Sequence, residues 1–391
     1  MSQHSLQAQL KTLSRAKSQQ INAKAASSLT QFELAYLRMA SAQGIASKHW
    51  LELLLRTTLS PHELLTAEND LHAADIDKLK TQTSDKLTSL AIAWERECAN
   101  HHIVSYDSSN YPCSLKQLDS PPLVLFVVGE PQCLIKPQVA VVGSRRASLQ
   151  GKQIAKTLAS DLSNNGITVT SGLAMGIDSA AHQGGLVNTG KTVAVMGTGP
   201  DIVYPAKNKP LFDAIVSGKG ACITEFFPGQ GPKPWHFPRR NRIIAALTLG
   251  TLVVEAKIKS GTLITANLAA DLGREVFAVP GNIYHEHAQG CHWLIQQGAK
   301  LVTNVNDIID EIDVEPLQLG IPVDIENEKS EVNSLATDKL LASVDYDITA
   351  IDVIAQRNAV TVSDVMASLL EYELRGLVAA VPGGYIKLRG K

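Results

Sequence analysis

The sequence is poor in the features that mark several protein classes. Five cysteines with no CxxC pair exclude a disulfide scaffold and give no zinc-ribbon signal. No apolar run approaches the roughly 18 residues that cross a membrane, and no apolar signal-peptide core follows Met1. Only 5% of the residues are aromatic, but 45% are hydrophobic, which is enough for a sizeable core. We therefore expect a folded protein of the reducing cytoplasm.

An excess of charge of one sign is also missing from the chain as a whole. The 36 Lys and Arg against 38 Asp and Glu leave a net charge of −2, which by itself does not indicate a nucleic-acid binder. The balance is uneven, with a net charge of 0 over residues 1–137, +4 over 138–311 and −6 over 312–391. If the protein binds a polyanion, the middle segment is the expected place. The basic start of the chain, without an acid before Glu33, fits either a transit peptide or, as we favour, a polar bacterial N-terminus.

A length of 391 residues predicts two to three domains. Residues 29–100 have helical spacing of apolar residues, and Ser60-Pro61 followed by Glu63 is typical of a helix start. Residues 313–343 are acidic and without periodicity, which indicates a linker. Residues 346–391 have the order of two helices and a hairpin that is typical of a winged helix.

Short apolar strands alternate with helices from residue 139 onward, which predicts a parallel doubly wound sheet. The expected strands are 139–142, 167–170, 192–196, 221–224, 251–255, 275–279 and 300–303. The expected helices are 152–162, 175–187, 209–216, 239–248, 262–272 and 289–297. Ligands of such sheets bind at the carboxyl ends of the strands, where glycine-rich turns enter helices.

Four glycine loops follow these strands: 143–146, 171–178, 197–199 and 260–262. A glycine lets the backbone approach an anion, the next helix offers free N–H groups, and Arg145 and Arg146 add phosphate donors. The GxGxxG fingerprint of dinucleotide sites and the GxxxxGK[ST] loop are both absent. The loop at 171–178 is equally well a tight turn in which Asp178 caps a helix.

The run Phe237-Pro238-Arg239-Arg240-Asn241-Arg242 is the sharpest basic cluster. In a helix, Arg239 and Arg242 share one face and Arg240 is offset by about 100°. We favour phosphate contact for this cluster over pairing with internal acids such as Glu225 or Glu255. His285, His287, Cys291 and His292 fit no zinc pattern, so we expect no metal, and no Ser-His-Asp order can be recognised.

Seven strings in fixed order resemble the DprA/Smf family of DNA-processing proteins. They are VAVVGSRRAS (139–148), SGLAMGIDSAAH (171–182), VAVMGTGPDIVYP (193–205), HFPRRNRIIAAL (236–247), EAKIKSGTLITANLA (255–269), GREVFAVPGN (273–282) and GCHWLIQQGAKLV (290–302). The tail 373–388 resembles the winged helix of many members, and residues 30–100 resemble their sterile-alpha-motif-like (SAM-like) helical domain in layout.

The resemblance implies an α/β protein with an extended Rossmann-like parallel core. We expect a polar tail (1–28), a helical SAM-like domain (29–120), a Rossmann-like DNA-binding core (121–312), an acidic linker (313–343) and a winged-helix domain (344–391). Such proteins bind incoming single-stranded DNA during natural transformation of competent cells, protect it and help to load RecA onto it. They dimerise, and they act without catalysis or a cofactor.

The resemblance also implies which residues hold DNA phosphate and base. They are Gly143, Ser144, Arg145, Arg146, Gly172, Gly197, Gly199, Lys207, Asn208, Arg239, Arg240, Arg242, Ser260, Gly261 and Thr262. The alternative is an enzyme, a nucleotide phosphoribohydrolase with a related Rossmann-like pocket. The run at 260–262 lacks the catalytic glutamate of that class at the required offset. Glu255 is the only acid near this run in the sequence, and it could also pair with Arg239 or Arg240. A duplex-specific repressor is disfavoured by the negative tail.

Overall fold

The structure is a computed structural model that describes residues 29–42, 44–66, 81–312 and 339–388. They fall into two compact units, with the division between Glu315 and Pro316. The predicted tail (1–28) and most of the predicted linker lie outside the described residues. The domain boundary at residue 120 stays a prediction.

The described residues before the sheet of the first unit include four helices: α1 (Gln31–Ala40), α2 (Ser47–Thr57), α3 (Pro61–Thr66) and α4 (Asp85–Glu97). The helix start expected at Ser60-Pro61 is confirmed, because the Ser60 hydroxyl accepts from Glu63 N and the Glu63 carboxylate accepts from Ser60 N. Fully buried Trp50 and Leu64 belong to one apolar cluster with Phe126 of the sheet. This shared core attaches the helices to the sheet.

A sheet of nine strands forms the centre of this unit. The strands are β1 (His101–Ser105), β2 (Val124–Gly129), β3 (Gln138–Val142), β4 (Thr168–Ser171), β5 (Thr192–Val195), β6 (Ala221–Thr224), β7 (Gly250–Val253), β8 (Glu275–Ala278) and β9 (Lys300–Leu301). Their order is β1-β2-β6-β5-β4-β3-β7-β8-β9. All pairs from β6 to β9 are parallel, as predicted, whereas β1 and β2 form an antiparallel edge.

Helices cover both faces of the sheet, which explains strands that are apolar on both sides. The helices are α5 (Leu149–Asn164), α6 (Ile177–Gly185), α7 (Lys209–Ser217), α8 (His236–Leu247), α9 (Gly261–Asp271), α10 (Gln289–Gln296) and α11 (Asn306–Ile309). Side chains of α5 and α6 pack with β3, β4 and β7 in one cluster, and side chains of α8, α9 and α10 pack on the other face. The predicted α/β class is thus confirmed.

The second unit contains α12 (Lys339–Ala342), α13 (Ile351–Asn358), α14 (Val362–Leu374) and a hairpin of β10 (Val378–Val381) and β11 (Gly384–Lys387). Its core joins both main helices to the hairpin through residues such as Ile354, Leu369 and Val378. The helix–helix–hairpin order predicted for the tail is confirmed. The helix α12 lies within the last residues that were assigned to the linker.

Candidate functional site

A large cavity lies where the direction of the strand order reverses. From β3 the chain passes through β4 and β5 to β6 on one side, and β7 to β9 lie on the other side. Open α/β sheets bind ligands in the crevice at this point, outside the carboxyl ends of the strands. Here the loops after β3 and β7, together with the start of α8, surround a cavity of about 1260 Å³, called the switch-point cavity below.

The loop after β3 supplies one wall of the switch-point cavity. A side chain on Gly143 would collide with Ile177, so only glycine allows this close approach of backbone to α6. Ser144 N donates to the Glu255 carbonyl at 2.8 Å, which fixes the loop against the strand end of β7. Arg145 and Arg146 are exposed, and the Arg145 guanidinium lies 5.4 Å from the centre of the Phe237 ring. Neither arginine has a carboxylate partner among the described residues.

The loop after β7 supplies the opposite wall and contains an unsatisfied hydroxyl. Ser260 is the N-cap residue of α9, but its side chain makes no capping hydrogen bond. Its Oγ is buried without a hydrogen-bond partner among the described residues, and so is Nδ1 of His287, which lines the same cavity. Gly261 and Thr262 form the first turn of α9, whose free N–H groups favour an anion.

A buried arginine forms the floor of the switch-point cavity. Arg240 is 4% exposed and donates to the carbonyls of Gly172, at 2.6 Å, and Val195. Burial lowers the pKa of Arg240 to about 10, so the guanidinium is still charged at neutral pH. Nearby Asp178 accepts from the N–H groups of Gly172 and Ala174, and burial raises the pKa of its carboxyl. Asp178 therefore holds the loop after β4.

His182 extends this buried network under the loop. Its Nε2 accepts from Leu173 N at 3.3 Å, and its Nδ1 lies 2.7 Å from the Thr192 hydroxyl. That hydroxyl donates to the Val169 carbonyl, so Nδ1–H must donate to it. Burial lowers the pKa of His182 to about 3. The imidazole is thus neutral and structural.

Two arginines of the 239–242 run point away from the switch-point cavity. Arg239 binds Glu225 through Nε at 3.1 Å and NH2 at 3.0 Å, and Arg242 binds it at 2.6 Å. The predicted common face of Arg239 and Arg242 is confirmed by this shared partner, and so is the offset of Arg240. The preference for phosphate over an internal acid meets a direct competitor here, because Glu225 occupies both guanidinium groups.

Several other predicted site residues also lie outside the cavity lining. Gly172 and Gly197 provide room for the side chains of Arg240 and Phe237 respectively, and Gly199 N donates to the Gln230 carbonyl at 2.7 Å. Buried Asn208 donates to the Leu173 carbonyl at 2.8 Å and to Ser179 Oγ at 3.0 Å. Its side-chain amide therefore holds the loop after β4 to the start of α6. The cavity thus brings together only part of the predicted set: Gly143, Ser144, Arg145, Arg146, Arg240, Ser260, Gly261 and Thr262. Lys207, which is exposed, is not among its lining residues.

The cavity also includes residues that the sequence analysis did not select: Tyr204, Lys233, Phe237, Lys257, Lys259 and His287. Lys257 and Lys259 alternate directly before Ser260, and Lys233 precedes the arginine run, so the lysines beside these two motifs were an available signal. Tyr204 and Phe237 lie with their ring centres 5.6 Å apart. In all, the lining contains six Lys and Arg and one acid, Asp178. The lining of the cavity is therefore mainly basic and includes aromatic surface.

The geometry gives Glu255 a structural partner. Its carboxylate accepts from Ser148 N at 3.0 Å and Ser148 Oγ at 2.5 Å, at the start of α5. The expectation that Glu255 could pair with Arg239 or Arg240 is wrong, because those side chains have the partners given above. In the part of the chain that the structure describes, no group of three His, Cys, Asp or Glu could hold a metal ion. Over the same residues, no helix is long and apolar enough to cross a membrane.

Two family models match the chain. The one described as DNA recombination-mediator protein A matches residues 102–313, and the one described as the DprA winged helix domain matches residues 328–384.

Curated proteins and a solved structure match as well. Protein Smf of Escherichia coli is 42% identical over 301 residues, 75% of this chain and 79% of its own length. DNA processing protein DprA of Streptococcus pneumoniae is 47% identical over 203 residues, 52% of this chain and 71% of its own length. The X-ray structure of DNA processing protein A from Streptococcus pneumoniae superposes with a TM-score of 0.62 at 37% identity, covering 74% of this chain and all of that chain.

Proposed function

The chain belongs to the DprA/Smf family of DNA-processing proteins, and from this premise we propose that it binds single-stranded DNA in the switch-point cavity. In this proposal it protects incoming strands and helps to load RecA onto them in transformation and recombination. It acts as a homodimer in the cytoplasm and performs no catalysis. The RecA and dimer parts rest on the family resemblance alone, and the five free cysteines support the cytoplasm.

The observation that carries the proposal is the unbalanced charge of the cavity. Six Lys and Arg line it against one acid; Lys257 is paired with Glu286 outside the lining, but Arg145 and Arg146 reach into the cavity without a carboxylate partner among the described residues. The Ser260 hydroxyl and the free N–H groups at the start of α9 lie on the opposite side. A phosphodiester between these walls would receive donors from both sides at the same time.

The shape of the cavity favours a single strand over a duplex. Arg240 is 4% exposed at its floor, which a flexible single strand can approach but a rigid duplex surface cannot. Tyr204, 45% exposed, adds an aromatic surface on which an unpaired base can stack. Paired bases have no free face inside the duplex. The described α14 of the second unit contains Glu371 and Glu373 and is a poor surface for duplex phosphates.

The direct test is a titration of labelled oligonucleotides, single-stranded and double-stranded, at several salt concentrations. We expect a lower Kd for the single strand at every salt concentration, and a steep loss of affinity with salt. Equal Kd values for the two forms at matched salt would contradict the proposal.

The enzymatic alternative has its own test. We expect no release of free base or of shortened strands when the protein is incubated with nucleoside monophosphates or single-stranded DNA, with and without magnesium. The physical reason is that Glu255, the candidate acid, is bound to Ser148. Turnover that Glu255→Gln abolishes and Arg145→Ala leaves intact would establish the hydrolase instead.

A further inference from the structure

A second cavity adjoins the switch-point cavity and has no role in the function proposed above. It has a volume of about 640 Å³ and lies between the first helices and the sheet, and we call it the helical groove. Its walls are Ala40–Ala42, Gly44–Ser47 and Leu87 on the helical side and Ser120, Glu225–Phe227, Gln230, Lys233, Trp235, Arg239 and Arg242 on the sheet side. All these residues belong to the first unit.

The two cavities share one wall. Lys233 lines both of them, Pro232 and Pro234 line the switch-point cavity, and Gln230 and Trp235 line the helical groove. The next residues begin α8, which places Arg240 in one cavity and Arg239 in the other. A strand whose phosphate lies in the switch-point cavity therefore has to cross only this short segment to reach the groove.

The groove presents an uncovered aromatic surface at this crossing. Trp235 is 54% exposed, and its contacts with Phe226 and His236 are edge-on, at interplanar angles of 75° and 85°. His236 is stacked on Phe226 at 3.9 Å, which supports the indole from below. The Lys233 ammonium lies 5.7 Å from the centre of the indole, and the Arg239 guanidinium lies 5.7 Å from the Phe226 ring. Such a combination of aromatic rings and cations is typical of sites for unpaired bases.

The groove also leads to an unsatisfied donor. A recess of about 50 Å³ opens beside it and shares Ala40, Ile45, Ser47, Glu225 and Arg239 with the groove lining. Trp50, which is fully buried, lines the recess, and its Nε1–H has no hydrogen-bond partner among the described residues. A buried donor without an acceptor is costly, so an acceptor atom that entered the recess would be stabilised by it. A recess of this volume has room for a small polar group such as a carbonyl oxygen.

We propose that the helical groove is a nucleobase subsite, which takes a base of the same DNA strand that the switch-point cavity holds by its phosphates. The base stacks on Trp235, and an exocyclic carbonyl accepts from Trp50 Nε1–H. Thymine, cytosine and guanine have such a carbonyl, whereas adenine has none. The inference rests on the proposed function, because the strand enters the groove from the switch-point cavity.

The first experiment pairs a length series of oligo(dT) with the variant Trp235→Ala. The affinity of the wild type should rise about 5- to 100-fold at the strand length that first reaches the groove. Trp235→Ala should not show this rise. Strands too short to reach the groove should bind the two proteins equally well. Trp293→Ala is the matched control, since Trp293 is 36% exposed and lines neither cavity. Equal losses in both tryptophan variants, or loss at every length, would overturn the proposal.

A second experiment places an abasic nucleotide at each position of a binding strand in turn. One position should lose affinity in wild type but not in Trp235→Ala, because base and indole form one contact. Additive losses at every position would refute the subsite. If instead Arg145→Ala also leaves affinity unchanged at every length, the proposed function itself has failed, and the two failures are thereby distinguished.

The third experiment tests the carbonyl. Wild type should prefer oligo(dT) to oligo(dA) at lengths that reach the groove, and Trp50→Phe, which removes only the donor, should reduce that preference. A preference that is unchanged in folded Trp50→Phe would contradict the role of Trp50. Should this variant not fold, the same comparison in Trp235→Ala serves, and there too the preference must fall.

Discussion

Two pairs of arginines in this molecule have the same chemistry and opposite environments. Arg145 and Arg146 follow β3, project into the switch-point cavity and meet no carboxylate among the described residues. Arg239 and Arg242 lie on one face of α8 and both bind Glu225, whose side chain is 4% exposed. Arg145 and Arg146 are available to a bound anion, whereas Arg239 and Arg242 are already paired with the Glu225 carboxylate.

A cluster of basic residues therefore indicates an anion-binding site only if the fold supplies no acidic side chain that pairs with it. An anion that bound Arg239 or Arg242 directly would have to compete with a buried carboxylate that stays in place. An anion at Arg145 or Arg146 meets no competing carboxylate among the described residues. Arg239 and Arg242 should therefore contribute to stability, and Arg145 and Arg146 to affinity, and the first two predictions below test that division.

The largest expected effect is on stability. Glu225→Ala leaves two guanidinium groups without their partner and should lower the free energy of unfolding by about 3 kcal/mol. This value is at the lower end of the range for a broken buried ion pair, because the Arg239 side chain is half exposed. Urea denaturation measures this, with Glu97→Ala, an exposed glutamate at the end of α4, as the control that should change little. If Glu225→Ala keeps its stability but loses DNA affinity, Arg239 and Arg242 contribute to DNA binding and not to stability.

The opposite pair should show the opposite readout. The double variant Arg145→Ala/Arg146→Ala should lose more than about 100-fold in affinity for single strands of any sequence. Charge-assisted contacts contribute about 1.5–3 kcal/mol each, and phosphates carry no base information. Its free energy of unfolding should stay within about 0.5 kcal/mol of wild type. The dependence of log K on log salt should flatten by about two or less.

The matched control for this variant is Arg96→Ala, which removes an exposed arginine outside both cavities. It should leave affinity and salt dependence unchanged. If it weakens binding as much as the double variant, the net charge of the protein, and not the cavity, determines the affinity.

The buried network beneath the cavity predicts a dependence of stability on pH. The ordinary pKa of His182 is 6.5 and burial lowers it to about 3, so between these values the unfolded chain binds a proton that the fold excludes. The contribution of His182 is therefore complete above pH 6.5 and is lost as the pH falls, at no more than about 1.4 kcal/mol per pH unit. Asp178, whose pKa is raised by burial, acts in the opposite direction at acid pH.

The variant His182→Gln isolates this effect, because glutamine can accept from Leu173 N and donate to Thr192 without titrating. Between pH 7 and pH 5 its free energy of unfolding should fall less steeply than that of wild type. Parallel curves for the two proteins would assign the acid sensitivity to other groups, such as His236, whose pKa burial also lowers.

The smallest expected effect concerns the unsatisfied hydroxyl. Ser260→Ala removes a buried Oγ that has no partner in the described part of the chain, so the free energy of unfolding should stay the same or rise slightly. Affinity for single strands should fall about fivefold, the value of one hydrogen bond of about 1 kcal/mol. Thr303→Ala is a useful contrast, because that hydroxyl binds Asp307 and its loss should cost stability without changing affinity. The reverse pattern would make Ser260 a structural residue.

The alternation of strands and helices from residue 139 to residue 301 can be predicted from the sequence alone. Apolar strands of four or five residues and helical spacing between them reflect local periodicity, which any reader of the chain can see. The same reasoning placed Arg239 and Arg242 on one helix face, because that depends only on 3.6 residues per turn. The glycine loops were likewise visible as turns between strand and helix.

The partners of each helix face and each loop depend on the three-dimensional packing and could not be predicted from the sequence. Glu225 is distant in sequence from Ser120 and from the first helices, yet these surround it, and no local pattern reveals that it holds two arginines. Long-range packing determines the strand order. The strand order in turn places β1 and β2 at an antiparallel edge and brings the loops after β3 and β7 together around one cavity. Whether a charged side chain binds a ligand or a neighbour follows from that packing, since a buried carboxylate and a phosphate compete for the same donors.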